Sequence, residues 1–402
     1  MKKSIIFIFL SILIGSSLFT ACSDDELGPT IFDATVRPLD RTQYSFPLDS
    51  FVEANYRQPY NLRYIYRMED ISADMDYNLI PCTYQKSKEV AVLAKYLWFD
   101  IYAKLQTPEF LKMYAPRILH IIGSPAYNPS SGTMTLGEAS GGKKITFYRG
   151  NSIDVNNIDS LNELFFKTMH HEFSHILQQT KVTPTEFNTL SSGQYDSFAW
   201  QDRNDSLVLS LGFVTPYGSS QATEDWVEVI ANYIVKDSIT WNGMLNTATY
   251  GWEVVLVDVD KFDPELETRT FKNDVKEAGS NNKYAQYEVY RKTIVRDENG
   301  DPIKDENGKL QYIDEDGVDG KALILQKLDM ARNWMKTSFG LDLDQLRKEV
   351  QTRQYLTDEK GEFVLRDGKF VNRLVEPLHI GSSETLMDSL LYQVDKFKEL
   401  QN

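Results

Sequence analysis

Histidine is scarce in this 402-residue chain: only five occur, at positions 120, 170, 171, 175 and 379, and three of them crowd into six consecutive positions. Within that crowd, His171-Glu172-Phe173-Ser174-His175 has the spacing H-E-x-x-H. On a helix, residues i and i+4 share a face one turn apart, so both imidazoles reach a single metal ion at about 2.1 Å. Glu172 then flanks the metal. From there a carboxylate takes a proton from an attacking water and later returns it to a leaving amine. The residue types point to zinc, and a merely solvated helix face would not concentrate so rare a side chain. His170 points about 100° away around the same helix and is expected to pack or to reach a backbone oxygen. His120 and His379 stand in no such pattern and read as structural.

A catalytic zinc takes three protein ligands and keeps one position open, so a third donor must come from elsewhere. Glu224 opens the segment Glu224-Asp225-Trp226-Val227-Glu228, 49 residues after His175, and Glu228 follows one turn later on the same face. One carboxylate would bind the metal while the other accepts the free N–H of a ligand histidine and fixes its tautomer. The geometry favours Glu224 as ligand and Glu228 behind it, although these residue types also permit the exchange. Asp225 reads as an ordinary first-turn acid, favoured there by the helix dipole. An oxyanion also needs a donor. Tyr217, in the loop Thr215-Pro216-Tyr217-Gly218-Ser219, is one candidate among 22 tyrosines.

These side chains require two helices. Ser160-Leu-Asn-Glu163 has the form of a capping box, and Leu161, Leu164, Phe165, Met169, Phe173 and Ile176 continue one apolar face behind it. The second helix runs from about Gln221 to Val235 and carries Trp226, Val227, Val229, Ile230, Tyr233 and Ile234. Upstream, apolar residues from Val90 to Leu105 recur at helical spacing over 87–105, while 117–123 and Lys144 to Arg149 read as strands. Downstream, helices are expected near 321–338, 342–352 and 383–400. Between them, Asp-Glu-Asn-Gly at 297–300 and 305–308 and Asp-Glu-Asp-Gly at 314–317 lack a complete calcium-ligand set, and they read better as hairpin turns.

With 42% hydrophobic and a quarter charged residues, the chain is globular rather than disordered. Lys2 and Lys3 precede an apolar run, Ile5 to Ile14, the layout of a secretory signal and too short to span a bilayer. Leu18-Phe19-Thr20-Ala21-Cys22 resembles a bacterial lipobox, with Phe19 where Leu is commoner. The acidic run Ser23-Asp24-Asp25-Glu26 resembles a surface-export signal. Lipid on Cys22 and a place on the outer face of the outer membrane are the expectation. Cys82 is then the one other cysteine, so no internal disulfide forms and Cys82 reads as buried and apolar. The net charge of −15 becomes −17 without the signal, with 41 basic against 58 acidic side chains. Such a charge argues against nucleic acid or anionic lipid headgroups as partners.

The motif and the Glu-rich second helix resemble the gluzincins, and the fuller pattern resembles the zinc-binding metallopeptidases found as surface lipoproteins, similar in arrangement to the anthrax lethal-factor peptidase. The resemblance implies His171, His175 and Glu224 as zinc ligands, Glu172 as general base and Tyr217 as oxyanion donor, with Val227 departing from the Ala often found there. It implies an α+β zincin-like fold with a small mixed sheet, an active-site helix and a mostly helical C-terminal lobe. In such folds an edge strand before the active-site helix binds the substrate backbone by strand addition, and Lys144 to Arg149 would be that strand. The expected layout is a signal at 1–21, a tether at 22–40, a catalytic domain at 41–240 and a C-terminal lobe at 241–402 with a hairpin near 290–315. The function implied is zinc-dependent hydrolysis of peptide or protein substrates, glycoproteins included, at the cell surface. The competing reading is a non-catalytic lipoprotein of a glycan or glycoprotein uptake system on the same scaffold. A closed structural zinc site fits less well, because such sites take four Cys or His ligands.

Overall fold

The structure is a computed structural model. It describes residues 39–68, 78–127, 134, 135, 137–140, 143–249, 252–258, 269–274, 284–290, 292–294, 297–299, 301, 303–308, 311–314 and 318–401. The signal segment, Cys22 and nearly all of the tether lie outside the described residues.

A four-stranded sheet begins with β1 (Arg63–Ile65). The first long helix, α1 (Tyr84–Ala94), starts three residues earlier than its apolar period implies. There the Thr83 side chain accepts from Lys86 N and satisfies a free first-turn amide. A wider π-turn at Lys95–Phe99 carries it on into Asp100–Leu105. Then come β2 (Ile118–Ile121), β3 (Gly137–Ser140) and β4 (Lys144–Phe147). The spatial order is β1-β2-β4-β3, with β1, β2 and β4 parallel and β3 antiparallel to β4. This is the expected small mixed sheet, with one correction. The strand at Lys144–Phe147 lies inside the sheet, and the edge is β3, drawn from a Gly- and Ser-rich stretch.

The active-site helix α2 (Lys167–Thr180) is reached through a turn at Ile158–Leu161 and a π-turn at Asn162–Phe166. Its start corrects the capping box. Asn157 is the cap and accepts from Ser160 N, while Glu163 bridges Lys167 at 2.6 Å and Lys236 at 2.5 Å. Helix α3 (Ala222–Val235) packs along α2. The chain then forms a three-stranded antiparallel sheet of β5 (Trp252–Asp258), β6 (Arg269–Asp274) and β7 (Tyr284–Tyr290), which the sequence reading did not contain. A hairpin pairs β8 (Lys292–Ile294) with β9 (Tyr312–Asp314), the turn-rich segment between them holding both Asp-Glu-Asn-Gly runs.

Three helices close the chain: α4 (Gly320–Phe339), α5 (Leu343–Gln354) and α6 (Leu386–Asp395). Asp319, Asp342 and Thr385 cap them, and Gly340 ends α4 with φ +68°. Helices α4 and α5 pack on α3, and one apolar core takes in residues from Leu48 to Val394. Beneath α2, Phe173 is fully buried, with Trp98, Tyr102 and Phe110 set edge-on at 5.6, 5.0 and 6.3 Å. Val227 is fully buried on α3, and Cys82 is buried and free, as its composition implies. Among the described residues no helix is long and apolar enough to cross a membrane.

Candidate metal centre

Helices α2 and α3 face each other so that His171, His175 and Glu224 converge, with donor atoms within 4.8 Å of one another. Glu224 Oε2 lies 3.2 Å from His171 Nε2 and 3.1 Å from His175 Nε2. Donors bound tetrahedrally at 2.0–2.1 Å lie roughly 3.3 Å apart, so both carboxylate-to-imidazole spacings suit one ion. Two imidazoles and one carboxylate also form the donor set of an open catalytic zinc rather than a closed structural one. The residues therefore fit the metal.

Glu228 stands behind His171, its Oε1 2.7 Å from Nδ1. A carboxylate at Nδ1 puts the proton there and turns the Nε2 lone pair towards the other donors. Thr215 Oγ1 donates to Glu228 Oε2 at 2.6 Å and Asn232 Nδ2 at 3.2 Å, so this buried carboxylate is fixed on several sides. Sequence reasoning missed Thr215, whose partner lies 13 residues away on another element. Gln178 Oε1 lies 3.3 Å from His175 Nδ1 and plays the equivalent part more loosely.

The electrostatics follow from these contacts. Burial alone would lower the basicity of His171, but hydrogen bonds to Glu224 and Glu228 outweigh it and raise the pKa to about 10 without metal. Burial would raise Glu224, but bonds to the two histidines bring it down to about 2. Glu228 is likewise held well below the usual carboxylate range against its burial, by the Lys167 charge and then by His171. The cluster keeps its carboxylates ionised, as cation binding requires.

Glu172 is buried beside His171 and lines a cleft of about 400 Å³ that also holds Tyr217, Trp200 and Met134. Tyr217 sits in a turn at Tyr217–Ser219, its ring 5.8 Å from that of His171 and 5.0 Å from that of Trp200. Burial, then the charges of Glu224 and Glu172, hold its phenol well above the ordinary range, so it stays a donor. Edge strand β3 crosses the N-terminal half of α2 at Gly137, where a Cβ would stand 2.3 Å from Thr168 Cγ2 and 3.7 Å from Glu172 Oε1. Only glycine lets the strand come so close.

The other histidines sit apart. His170 is buried, its Nδ1 3.1 Å from Tyr102 Oη, and burial takes its pKa down to about 3. His120 is buried in β2, and His379 is exposed. Asp225 is fully buried and paired with Lys327 at 2.7 Å, so it is more than the ordinary first-turn acid its position suggests.

Residues 41–344 match the model of a family described as "Putative zinc-binding metallo-peptidase". No curated protein matches the chain. Among solved structures, a "putative zinc-binding metallo-peptidase" from Bacteroides caccae is similar at 32% identity and a TM-score of 0.53, over 76% of this chain and 91% of that one. Neither comparison bears on the likeness to anthrax lethal factor.

Proposed function

The chain belongs to this family of zinc-binding metallo-peptidases, and from that premise we propose that it hydrolyses peptide bonds of polypeptide substrates at the bacterial cell surface. The observation that carries the proposal is a set of roles gathered around His171: it converges with His175 and Glu224 as three donors suited to zinc, and it lines one cleft with the buried carboxylate of Glu172 and the protonated phenol of Tyr217.

His171, His175 and Glu224 would hold the zinc, which when bound would supply Lewis acidity to the attacking water and to the scissile carbonyl. Glu172 takes the proton of the attacking water and passes it to the leaving nitrogen, a role worth about 10²–10⁴ in rate. Tyr217 donates to the developing oxyanion, a contribution of about 10²–10³. Glu228 and Thr215 keep His171 in the tautomer that leaves Nε2 free. Strand β3, the edge of the sheet among the described residues, reaches the cleft at Gly137 and offers its backbone to an extended substrate.

The N-terminal layout supports delivery to the surface: a signal ending at Cys22, whose acylation anchors the protein, and the acidic run from Asp24 to Glu26 directing it outward. Labelled palmitate incorporated by wild type and absent from Cys22→Ala tests the anchor.

The catalytic test uses residues 23–402, loaded with zinc, on a pool of unstructured peptides, with new termini read by mass spectrometry. Wild type cleaves, Glu172→Gln keeps its zinc and cleaves at least about 10²-fold more slowly, and Tyr217→Phe loses about 10²-fold in kcat. Full activity in Glu172→Gln on every cleaved peptide would end the proposal.

A further inference from the structure

The first turn of α3 carries Glu224, yet its cap residue Gln221 makes no side-chain capping bond. Such a turn has free amides and frays unless something else holds it. Gln221 Nε2 reaches only the Glu224 carboxylate, at 3.4 Å, and Asp225, about 100° around the helix from Glu224, ties the turn to the rest of the fold. Its Oδ2 receives Lys327 Nζ at 2.7 Å and Tyr195 Oη at 2.9 Å, and both Asp225 and Lys327 are shut off from solvent. Lys327 belongs to α4, in the C-terminal part of the chain.

The same ammonium donates to Gly212 O at 2.7 Å and lies 4.2 Å from the centre of the Phe213 ring. Gly212 has φ +86°, and a Cβ there would stand 2.7 Å from Leu323 Cβ of α4, so helix and loop are in close register. Three segments thus meet at one charge. They are the turn bearing Glu224, the loop from 212 that leads to Thr215 and Tyr217, and, through Tyr195, the loop whose Trp200 leans on Tyr217.

An ion pair this deeply buried adds little net stability, because desolvation offsets the attraction, and apolar pairs of the same volume often do as well. What the pair supplies is direction. A charge that must be matched permits one rotation of the α3 first turn and one approach of the 212 loop. We propose that Lys327 is a positioning residue of the metal centre, acting through Asp225 and Gly212 O to set Glu224 and Tyr217 relative to His171 and His175. The C-terminal helices thereby form part of the site although none of their side chains line it. This inference rests on zinc being held by His171, His175 and Glu224.

The test compares wild type, Lys327→Met and the double variant Asp225→Asn/Lys327→Met. The double variant replaces both charges by neutral side chains of similar shape, so no buried ion is left alone. Zinc dissociation constants come from competition with a chromophoric chelator, and folding from thermal melts of the metal-free proteins. The expected result for the double variant is a melt close to wild type, zinc bound at least about tenfold more weakly, and kcat lowered with KM unchanged. Wild-type zinc affinity in the double variant overturns the inference, whatever the single variant does. A double variant that does not fold also overturns it, since the pair would then support the core rather than the site. Wild-type protein that binds no zinc contradicts the metal reading instead.

Discussion

Glu228→Gln separates the part played by Glu228 from that of Glu224 most sharply. Gln keeps the length and shape of Glu228 but loses its charge, and the surroundings make that loss expensive. The His171 Nδ1 contact at 2.7 Å becomes a neutral hydrogen bond, about half as strong as the charge-assisted one. The new amide nitrogen would also face Thr215 Oγ1 or Asn232 Nδ2, now 2.6 and 3.2 Å from the carboxylate, and Asn232 would have to turn its amide over. Outer partners of ligand histidines are typically worth 10–100-fold in metal affinity. The predicted cost is therefore about 1.4–2.8 kcal/mol of zinc binding. Glu224→Ala, which removes a donor outright, is predicted to cost at least a further factor of about ten. Both variants are titrated with zinc against a chromophoric chelator, after circular dichroism shows that each is folded. Unchanged affinity in Glu228→Gln refutes the orienting role. A larger loss in Glu228→Gln than in Glu224→Ala refutes the assignment of ligand and partner.

Other consequences can be checked separately. The pKa of His171 is raised from 6.5 to about 10 in the folded, metal-free protein, so its stabilisation is fully present below pH 6.5 and is lost as pH rises towards 10. Urea unfolding of the metal-free protein should weaken across that window, and zinc uptake near neutral pH should release a proton that an indicator dye detects; a flat profile with no release refutes this. Gly137→Ala should raise KM for an extended peptide at least about tenfold by lifting β3 off Thr168, and adding Thr168→Ser, which removes the obstructing methyl group, should restore it. No recovery in the double variant would mean that the close approach is not what matters. Phe173→Ala should lose about 3–5 kcal/mol by urea titration, because three aromatic rings enclose it. A loss under about 1.5 kcal/mol would mean that the cluster is looser than its geometry.

The site was more legible in the sequence than the frame around it. His171 and His175 are side chains of a scarce type at a spacing that a helix converts directly into proximity, and Glu224 followed from the need for a third donor on a second helix. The long helices were legible for the same reason, since an apolar face repeats over many residues. Strand β3 was not, because Gly137-Glu138-Ala139-Ser140 has little intrinsic strand preference and becomes a strand through pairing with β4 and the need for glycine against Thr168. The cap fell at Asn157 rather than Ser160 because two residues three apart both suited it, and the Glu163 that would complete the box is bound by Lys167 and Lys236. Asp225 reads as an ordinary first-turn acid because Lys327, which pairs with it, lies about a hundred residues further along the chain. No local pattern records that distance.

Zinc content per folded chain is the most direct measure of the central claim, taken on residues 23–402 purified without chelators, alongside His175→Ala and Glu224→Ala. The account predicts about one zinc in wild type and little in either variant. Wild type without zinc, or a full complement kept by both variants, would contradict it.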